Sequence, residues 1–269
     1  MDIVVAGIDI GSGQTKIVLL NEKKDVLARY CTKTTARFAE VARTVLDRAL
    51  EQAKLQSSDV QYVATTGLGR YSVPFRDIQI TEITCAASGA YDLFPRSTCV
   101  LDMGSQSTRA IRLKQQGKVK QFRSNDRCAA GSGGFLEKAA KYLQVRLEDI
   151  GKLSLHARQP QTISSVCAVL GESEIINHVS NGAAIEDILR GIHDSLADRA
   201  VSLLKRVGLE GPVAVAGGVA IQPGMIRALE TKLDKAVFVC PRSEYLCAYG
   251  AALLGLRRLK KLQAETFAA

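Results

Sequence analysis

The hydrophobic pattern of the chain alternates short apolar runs with longer segments in which apolar residues recur at helical spacing. Residues 3–9 form an apolar run, a glycine-rich turn follows at 11–13, and the run resumes at 16–20, which predicts two strands joined by a tight turn. The elements predicted next are a strand at 26–32, a helix at 38–50, a strand at 60–65, a loop at 66–69 and a helix at 83–93. Strands that alternate with helices indicate an α/β fold.

The opening pattern returns about ninety residues later. Ile8-Asp9-Ile10-Gly11 has its counterpart in Leu101-Asp102-Met103-Gly104, within a strand at 98–104 that is followed by strands at 108–113 and 118–122. A repeat at this spacing is too long for a solenoid. It predicts two similar lobes that each begin with a β-hairpin.

The second lobe is predicted to be richer in helices than the first. Its helices are expected at 133–143, 147–153, 168–180, 185–207, 225–233 and 245–262, with strands at 213–216 and 236–239 and a frayed tail at 263–269. We place the first lobe at residues 1–95, with the terminal helix 246–269 packing back on it, and the second lobe at 96–245.

Composition excludes some classes of protein. An apolar fraction of 46% and a charged fraction of 23% are typical of globular proteins, and no apolar run approaches the ~18 residues that a membrane helix needs. No signal peptide is recognised, so a cytoplasmic location is expected. The net charge of +9 is spread along the chain apart from basic residues at 257–261, which we interpret as a solvated helix end. We therefore expect no nucleic-acid or membrane partner, although the charge suits other anionic partners.

The chain has seven cysteines, and none of them form a C-x-x-C pair, so neither a zinc site nor a thioredoxin-like motif is indicated. An odd number of cysteines fits a reduced setting in which most thiols are buried as small apolar groups. The cysteines are Cys31, Cys85, Cys99, Cys128, Cys167, Cys240 and Cys247.

The two Asp–Gly hairpins carry the first candidate chemistry. Asp9 and Asp102 each end a strand, where a carboxylate can hold Mg²⁺ directly or through water. The glycines that follow let backbone N–H groups approach phosphate oxygens, and Lys16 adds a positive charge to the first loop. Either hairpin alone is better explained by an ordinary β-turn with a solvated Asp. Their repetition, together with Gly217-Gly218 after a strand, indicates a nucleotide.

The order of these pieces resembles the actin/Hsp70/sugar-kinase ATPase superfamily. Asp9-x-Gly11-Ser12-Gly13 is similar to its first phosphate motif, Asp102-x-Gly104-x-Gln106 to its second, and Ala216-Gly217-Gly218-Val219-Ala220 to its adenosine motif. The resemblance covers almost the whole chain. It implies two ribonuclease-H-like lobes of the actin-like ATPase fold with an ATP cleft between them. It also implies that Asp9 and Asp102 hold Mg²⁺ and phosphates while Gln106 orients water.

A narrower resemblance lies in the second lobe. The segments at 125–133 and 165–174 read NDRCAAGSG and SVCAVLGESE. They resemble the BadF/BadG/BcrA/BcrD family, which includes activators of 2-hydroxyacyl-CoA dehydratases and ATP-binding subunits of benzoyl-CoA reductase. The runs at 164–170 and 188–193 look closest to the D-type subunit of the reductase.

That resemblance implies the redox chemistry. In the family two chains share one [4Fe–4S] cluster, and the matching ligands here are Cys128 and Cys167. It further implies ATP hydrolysis coupled to electron transfer, a ferredoxin or flavodoxin as electron donor, and acyl-CoA reductase or dehydratase subunits as acceptor. The partner chain is a second copy or a related ATPase subunit, and both possibilities stay open.

The residues agree with this assignment. A [4Fe–4S] cluster takes four thiolates, so two per chain require two chains, and each cysteine precedes a predicted helix N-terminus that favours a thiolate. The alternative is that Cys128 and Cys167 are core cysteines, as we expect for the other five. Gly131-Ser132-Gly133, three to five positions after Cys128, is a further candidate for nucleotide contact. Glu137 is a candidate for a ribose hydroxyl, and an ordinary exposed glutamate is its alternative.

Departures from the family pattern affect the second loop. The family reads Asp-x-Gly-Gly-Gln-Asp, whereas Ser105 and Ser107 replace the second Gly and the second Asp here. This leaves the rate of hydrolysis and the metal shell open. The adenosine motif often continues to an Asn, and Gln222 stands nearby. His178 and His193 fall in predicted helices and are interpreted as packing or surface residues.

Two other functions are compatible with the superfamily. One is a small-molecule kinase, for example of N-acetylglucosamine, which needs a catalytic Asp toward a sugar hydroxyl that the sequence does not reveal. The other is a non-redox ATP-dependent clamp whose dimerisation is indifferent to iron. The acyl-CoA substrate, and the choice between an activator and a permanent reductase subunit, are not determined by the sequence.

Overall fold

The computed structural model describes residues 3–125, 132–164 and 168–267. Two compact units make up the chain. Unit 1 consists of Met1–Pro95, Gln116–Lys118 and Tyr245–Ala269, and unit 2 of Arg96–Gln115 and Val119–Glu244. None of the helices in the described ranges is both long and apolar enough to cross a membrane.

Ten strands and eight helices are described. The strands are β1 (Val4–Ile10), β2 (Gln14–Asn21), β3 (Val26–Lys33), β4 (Val60–Gly67), β5 (Ile78–Gln79), β6 (Cys99–Met103), β7 (Thr108–Leu113), β8 (Val119–Ser124), β9 (Val213–Ala216) and β10 (Phe238–Val239). The helices are α1 (Phe38–Ala53), α2 (Glu82–Leu93), α3 (Gly133–Tyr142), α4 (Ile150–Leu153), α5 (Ala168–Ser180), α6 (Ile185–Arg206), α7 (Pro223–Leu233) and α8 (Leu246–Phe267). The α/β class expected from the hydrophobic pattern is confirmed.

The sheet of unit 1 has the strand order β3-β2-β1-β4-β5, with β1 antiparallel to β2 and parallel to β4. Both faces of β2 are buried. Ile17 and Leu19 belong to the apolar cluster formed with α1, while Val18 and Leu20 pack against α8 on the opposite face. Burial on both faces explains why this strand is a continuous apolar run rather than an alternating one.

Helix α8 approaches the sheet of unit 1 very closely at Gly7. A Cβ at Gly7 would lie 2.1 Å from the carbonyl oxygen of Ala248 and 2.4 Å from the amide nitrogen of Ala252. Only a glycine in β1 allows the helix backbone to come this near. The contact fixes α8 on the strand that leads into the first glycine-rich turn.

The sheet of unit 2 has the order β10-β9-β6-β7-β8, which is the order of unit 1 read from the other edge. Strand β6 is antiparallel to β7 and parallel to β9, as β1 is to β2 and β4. The two predicted hairpins, β1–β2 and β6–β7, are therefore both formed, and the same topology is built twice. The core of unit 2 includes Phe135 of α3 and the buried face of the long helix α6.

Three predicted elements differ from the structure. The helix expected at 147–153 is reduced to α4, because the carbonyl of Leu147 accepts from the Gln222 side chain. The strand expected at 236–239 contains only Phe238–Val239. The tail expected to fray from residue 263 is helical to Phe267, with a Lys261–Glu265 ion pair on its last turns.

Candidate functional site

The first glycine-rich turn closes the hairpin between β1 and β2. The Gly11 amide donates to the Gln14 carbonyl (3.1 Å), and the Gly13 carbonyl accepts from the Thr34 amide (3.0 Å). Asp9 stands opposite Lys16 in the hairpin register and is half-buried. The hairpin therefore gathers all the candidates of the first phosphate motif: Asp9, Gly11, Ser12, Gly13 and Lys16.

The end of β4 lies against the end of β1. Gly67 has φ +89°, and a Cβ there would lie 2.6 Å from Oδ1 of Asp9 and 2.4 Å from the carbonyl oxygen of Ile10. The Gly69 amide donates to that same carbonyl (3.2 Å), and Nη1 of Arg70 donates to the Gly67 carbonyl (2.9 Å). The sequence pattern predicted a plain loop for this stretch and did not reveal its contact with Asp9. The feature of the sequence that could have indicated this contact is the glycine at the end of the strand.

The second hairpin repeats the first, and its aspartate forms an ion pair with an arginine. The Gly104 amide donates to the Ser107 carbonyl (2.8 Å) across the turn. Asp102 is only 5% exposed, and its Oδ2 accepts from Nη1 of Arg109 at 3.1 Å. Gln106 is exposed on the turn.

Arg109 is a site residue that was not among the candidates from the sequence motifs. It stands directly opposite Asp102 in the β6–β7 register, as Lys16 stands opposite Asp9 in the β1–β2 register. Each cation follows its aspartate by seven positions, and that shared spacing was the signal in the sequence. Each hairpin therefore places a carboxylate and a cation side by side next to a glycine turn.

The N-terminus of α3 is attached to the second hairpin turn. The Gly133 amide donates to the Gly104 carbonyl (2.9 Å), and the Gly134 amide donates to the Ser105 carbonyl (2.6 Å). Two of the N–H groups that a helix normally leaves unpaired are thus used inside the protein. Ser132 is fully buried, and Glu137, one turn further along, is exposed.

The two glycines after β9 have different surroundings. Gly217 has φ +89°, and a Cβ there would lie 2.2 Å from the Met103 carbonyl oxygen. A glycine is therefore needed here for the strand end to pack against β6. Gly218 is exposed, and a Cβ there would meet no heavy atom within 4 Å. Gln222, noted in the sequence as a possible substitute for an Asn, is buried, and its Nε2 donates to the Leu147 carbonyl (2.9 Å).

Unit 2 therefore brings together three of the predicted segments. Gly217 contacts the end of β6, Gly133 is bonded to Gly104, and a Cβ on Gly133 would lie 3.1 Å from Cγ2 of Val219. The result is a glycine-lined surface beside a buried carboxylate. Such a surface can present backbone groups to a phosphorylated ligand.

The expected cluster ligands Cys128 and Cys167, and Gly131, lie outside the described residues. Of the cysteines expected in the core, Cys85, Cys99, Cys240 and Cys247 are buried, whereas Cys31 is only half-buried because β3 is an edge strand. Burial raises the pKa of Cys85 to about 12, and burial together with the nearby Asp102 carboxylate does the same for the pKa of Cys240. These two thiols stay protonated and are poor metal ligands.

No group of three or more His, Cys, Asp or Glu side chains suited to a metal occurs within residues 3–125, 132–164 and 168–267. His193 is fully buried, and its Nδ1 lies 2.9 Å from Oγ of Ser154. His178 is half-buried, and its Nε2 lies 3.1 Å from the Thr162 carbonyl. Both histidines thus take part in contacts within unit 2.

Comparisons with known proteins identify the family and the fold. The model of the BadF/BadG/BcrA/BcrD ATPase family matches residues 6–255. The D-type subunit of benzoyl-CoA reductase from Thauera aromatica is 41% identical, with 96% of this chain and 95% of that protein covered. The activator of lactoyl-CoA dehydratase of Anaerotignum propionicum is 40% identical, with 95% and 98% covered.

A solved structure extends the likeness to three dimensions. The activator of the 2-hydroxyisocaproyl-CoA dehydratase from Clostridium difficile, with bound ADPNP, superposes with a TM-score of 0.93 at 35% identity and with 98% of each chain covered. The fold is that of the actin-like ATPases. With a family model that spans nearly the whole chain, and relatives of this identity along nearly their whole length, the chain belongs to the BadF/BadG/BcrA/BcrD ATPase family.

Proposed function

We propose that the chain is an ATP-hydrolysing electron-transfer component. It passes low-potential electrons through a [4Fe–4S] cluster, shared between two chains, to an acyl-CoA reductase or dehydratase. Relatives that are named as a reductase subunit and a dehydratase activator support the acyl-CoA partner. The observation that carries the proposal is the convergence in unit 2 of the Gly104 turn, the start of α3 and the Gly217-Gly218 turn.

The nucleotide is assigned to the glycine turns. Asp9 and Asp102 hold Mg²⁺ and phosphates, with the first turn (Gly11, Ser12, Gly13, Lys16) and Gly104 supplying donors and charge. The exposed Gln106 orients water. The ADPNP bound to the dehydratase activator from Clostridium difficile supports this choice of ligand.

The remaining contacts concern the nucleoside. The open space at Gly218 leaves room for a purine against the backbone. Glu137 is exposed on α3, one turn after Gly133, and is assigned to a ribose hydroxyl. The backbones of Ser132, Gly133 and Gly217 form hydrogen bonds within unit 2. We therefore assign these residues to the support of the nucleotide site.

The cluster is assigned to Cys128 and Cys167, with Gly131 next to the first of them. What supports the pair is the arrangement of the two helices that follow them in the sequence. Helix α3 begins five positions after Cys128, and α5 begins directly after Cys167. The first turns of these helices touch, because a Cβ on Gly171 would lie 2.9 Å from Cζ of Phe135. A cluster held there relays single electrons from a ferredoxin or flavodoxin.

A second chain is required to complete four thiolate ligands. Helix α5 carries an exposed apolar surface that suits a protein partner, formed by Val169 (69% exposed), Leu170 (53%), Ile176 (51%) and Val179 (46%). We propose a homodimer or a heterodimer with a related ATPase subunit. ATP hydrolysis then biases a two-state arrangement of the cluster-bearing helices rather than acting on the acyl-CoA.

Anaerobic purification tests the redox function. The wild type is expected to contain iron and sulfide and to give an EPR signal after reduction. Cys128→Ala and Cys167→Ala are each expected to lose the iron while Mg·ATP binding, measured by calorimetry, is retained. Cys31→Ala is the matched control, since Cys31 is a half-buried thiol that lies in unit 1. A wild type free of iron that still shows full ATP-coupled activity would falsify the redox assignment.

Isolation of the native complex tests the partner. Mass measurement of the complex is expected to show two ATPase chains together with acyl-CoA reductase subunits, or a dimer that associates transiently with a dehydratase. Phosphorylation of a sugar panel by the purified chain would instead support the kinase alternative.

A further inference from the structure

Helices α3 and α5 are joined by a polar clasp centred on Glu172. Oε1 of Glu172 lies 2.7 Å from Nζ of Lys138, and its Oε2 accepts from the Tyr142 hydroxyl at 2.9 Å. The Glu172 side chain is 17% exposed. Its bond to Lys138 holds the pKa of Glu172 below its usual range, so the carboxylate is charged at neutral pH. Both of its oxygens are thus committed to α3.

An apolar contact joins the same two helices between Phe135, one turn before Lys138 on α3, and Gly171, which directly precedes Glu172 on α5. The Phe135 ring is 1% exposed and packs directly on the α5 backbone at Gly171, where a Cβ would lie 2.9 Å from Cζ. The ring contact holds the helices together, and the clasp adds the directional polar contact that fixes how α5 is rotated on α3. Packed side chains of this kind shift together rather than deform.

The other end of this connection is the second hairpin turn. The carbonyls of Gly104 and Ser105 accept from the amides of Gly133 and Gly134 at the start of α3. A change in the position of that turn must either move α3 or break two hydrogen bonds. A ten-residue helix is about 15 Å long and transmits the displacement along its axis.

We infer that Glu172 is a positioning residue that makes α5 follow α3 when nucleotide occupies the Gly104–Ser105 turn. The inference rests on the proposed nucleotide site but not on the cluster. It names the contact through which nucleotide binding in unit 2 changes the position of α5, the helix that begins directly after Cys167. Without the clasp, α3 still responds to nucleotide and α5 does not.

Hydrogen–deuterium exchange of the full chain, with and without Mg·ADPNP, tests this coupling. In the wild type, nucleotide is expected to change exchange in both 133–142 and 168–180. In the Glu172→Gln/Tyr142→Phe double variant the change in 133–142 remains and the change in 168–180 is lost. Lys138→Arg keeps the ion pair and is expected to behave as the wild type. A purely structural role for the clasp would not separate the two segments in this way.

A matched control breaks a comparable ion pair elsewhere in unit 2. Lys232 on α7 lies 2.9 Å from Asp198 on α6, and Lys232→Gln should leave both nucleotide-dependent changes intact. If the double variant fails to fold, Lys138→Gln, which removes one contact only, is expected to show the same loss in 168–180.

Two results overturn the inference alone. One is a wild type in which 133–142 responds to nucleotide but 168–180 does not. The other is a folded double variant in which both segments respond as in the wild type. Failure of the wild type to bind Mg·ADPNP by calorimetry overturns the proposed nucleotide site as well, and calorimetry therefore distinguishes the two failures.

Discussion

Asp102 and Arg109 show what a buried carboxylate requires. A charge removed from water is costly unless it is paired, and Asp102, at 5% exposure, is paired with Arg109 across the hairpin. In the first hairpin Asp9 and Lys16 stand opposite each other in the strand register, and both are half-buried. The second loop has Ser105 and Ser107 where the family pattern has Gly and Asp. Arg109 is the cation bound to Asp102, and residues 103–108 between them carry no charge.

Replacing Arg109 tests this pairing. Arg109→Met removes the cation bound to Asp102 and is expected to lower the free energy of unfolding by roughly 2–3 kcal/mol, somewhat less than the ~3–5 kcal/mol of a fully buried pair. Urea denaturation measures the change. Arg109→Lys keeps the charge and should recover at least half of the loss. Equal stability of the Met variant and the wild type would show that the pair contributes nothing.

His193 predicts a pH dependence of stability. Burial, aided by the nearby Arg190, lowers the pKa of His193 to about 3, so the folded protein holds it neutral. Its Nδ1 faces Oγ of Ser154, which in turn donates to the Gly151 carbonyl (3.1 Å), so the proton is assigned to Nδ1. Nε2 has no hydrogen-bond partner among the described residues.

The sign follows from proton linkage. Between about pH 6.5 and pH 3 the unfolded chain binds a proton at His193 that the folded chain excludes, so stability falls as the pH falls. Relative to a His193→Gln variant, the wild type should lose up to about 1.4 kcal/mol of unfolding free energy per pH unit below pH 6. Urea denaturation at pH 7.5, 6 and 5 measures the difference. Parallel pH profiles for the two proteins would contradict the prediction.

At the scale of elements, the turns that end β4 and β9 are equivalent. Gly67 is the last residue of β4, and Gly217 directly follows β9. Each has φ +89° and contacts the strand that carries the aspartate of its unit, which is β1 for Gly67 and β6 for Gly217. A side chain at either position meets both backbone strain and a steric clash. These glycines bring the parallel neighbour of the central strand up to the candidate site in each sheet.

The glycine pair after β9 permits a matched experiment. Gly217→Ala puts a Cβ 2.2 Å from the Met103 carbonyl oxygen at a left-handed position, and it is expected to destabilise the protein by roughly 1–3 kcal/mol. Gly218→Ala meets nothing within 4 Å and should leave stability unchanged while weakening ATP binding. Thermal unfolding and calorimetry with Mg·ATP measure the two effects. Unchanged ATP affinity in Gly218→Ala would place the purine elsewhere.

Elements with a strong periodic pattern were predictable, and short ones were not. Helix α5 has the bounds that its pattern predicts, and β2 is recognisable because both of its faces are buried. Strand β5 has two residues and carries no pattern, so it was missed. The reduction of the 147–153 helix to α4 depended on Gln222, which comes 75 positions after Leu147, and no local pattern reports such a contact.

At the scale of the molecule, one topology is built twice. Each unit has a central strand with an aspartate near its end, a hairpin partner on one side and, on the other, a parallel strand that leads to a left-handed glycine. The spacing of the Asp–Gly motifs was enough to predict the duplication of the hairpins. The strand order, with β5 and β10 at the edges, came only from the structure.

The sequence by itself determined the α/β class, the two hairpins and the family, because these depend on periodicity, turn residues and motifs that are local in the chain. Only the tertiary structure decided that Arg109 neutralises Asp102, that Gly67 lies against Asp9, and that Glu172 joins α5 to α3. Each of those contacts joins residues from different elements. Their partners are set by strand register and helix packing, and of these three contacts only the Asp102–Arg109 pair has a local signal, the spacing of seven positions.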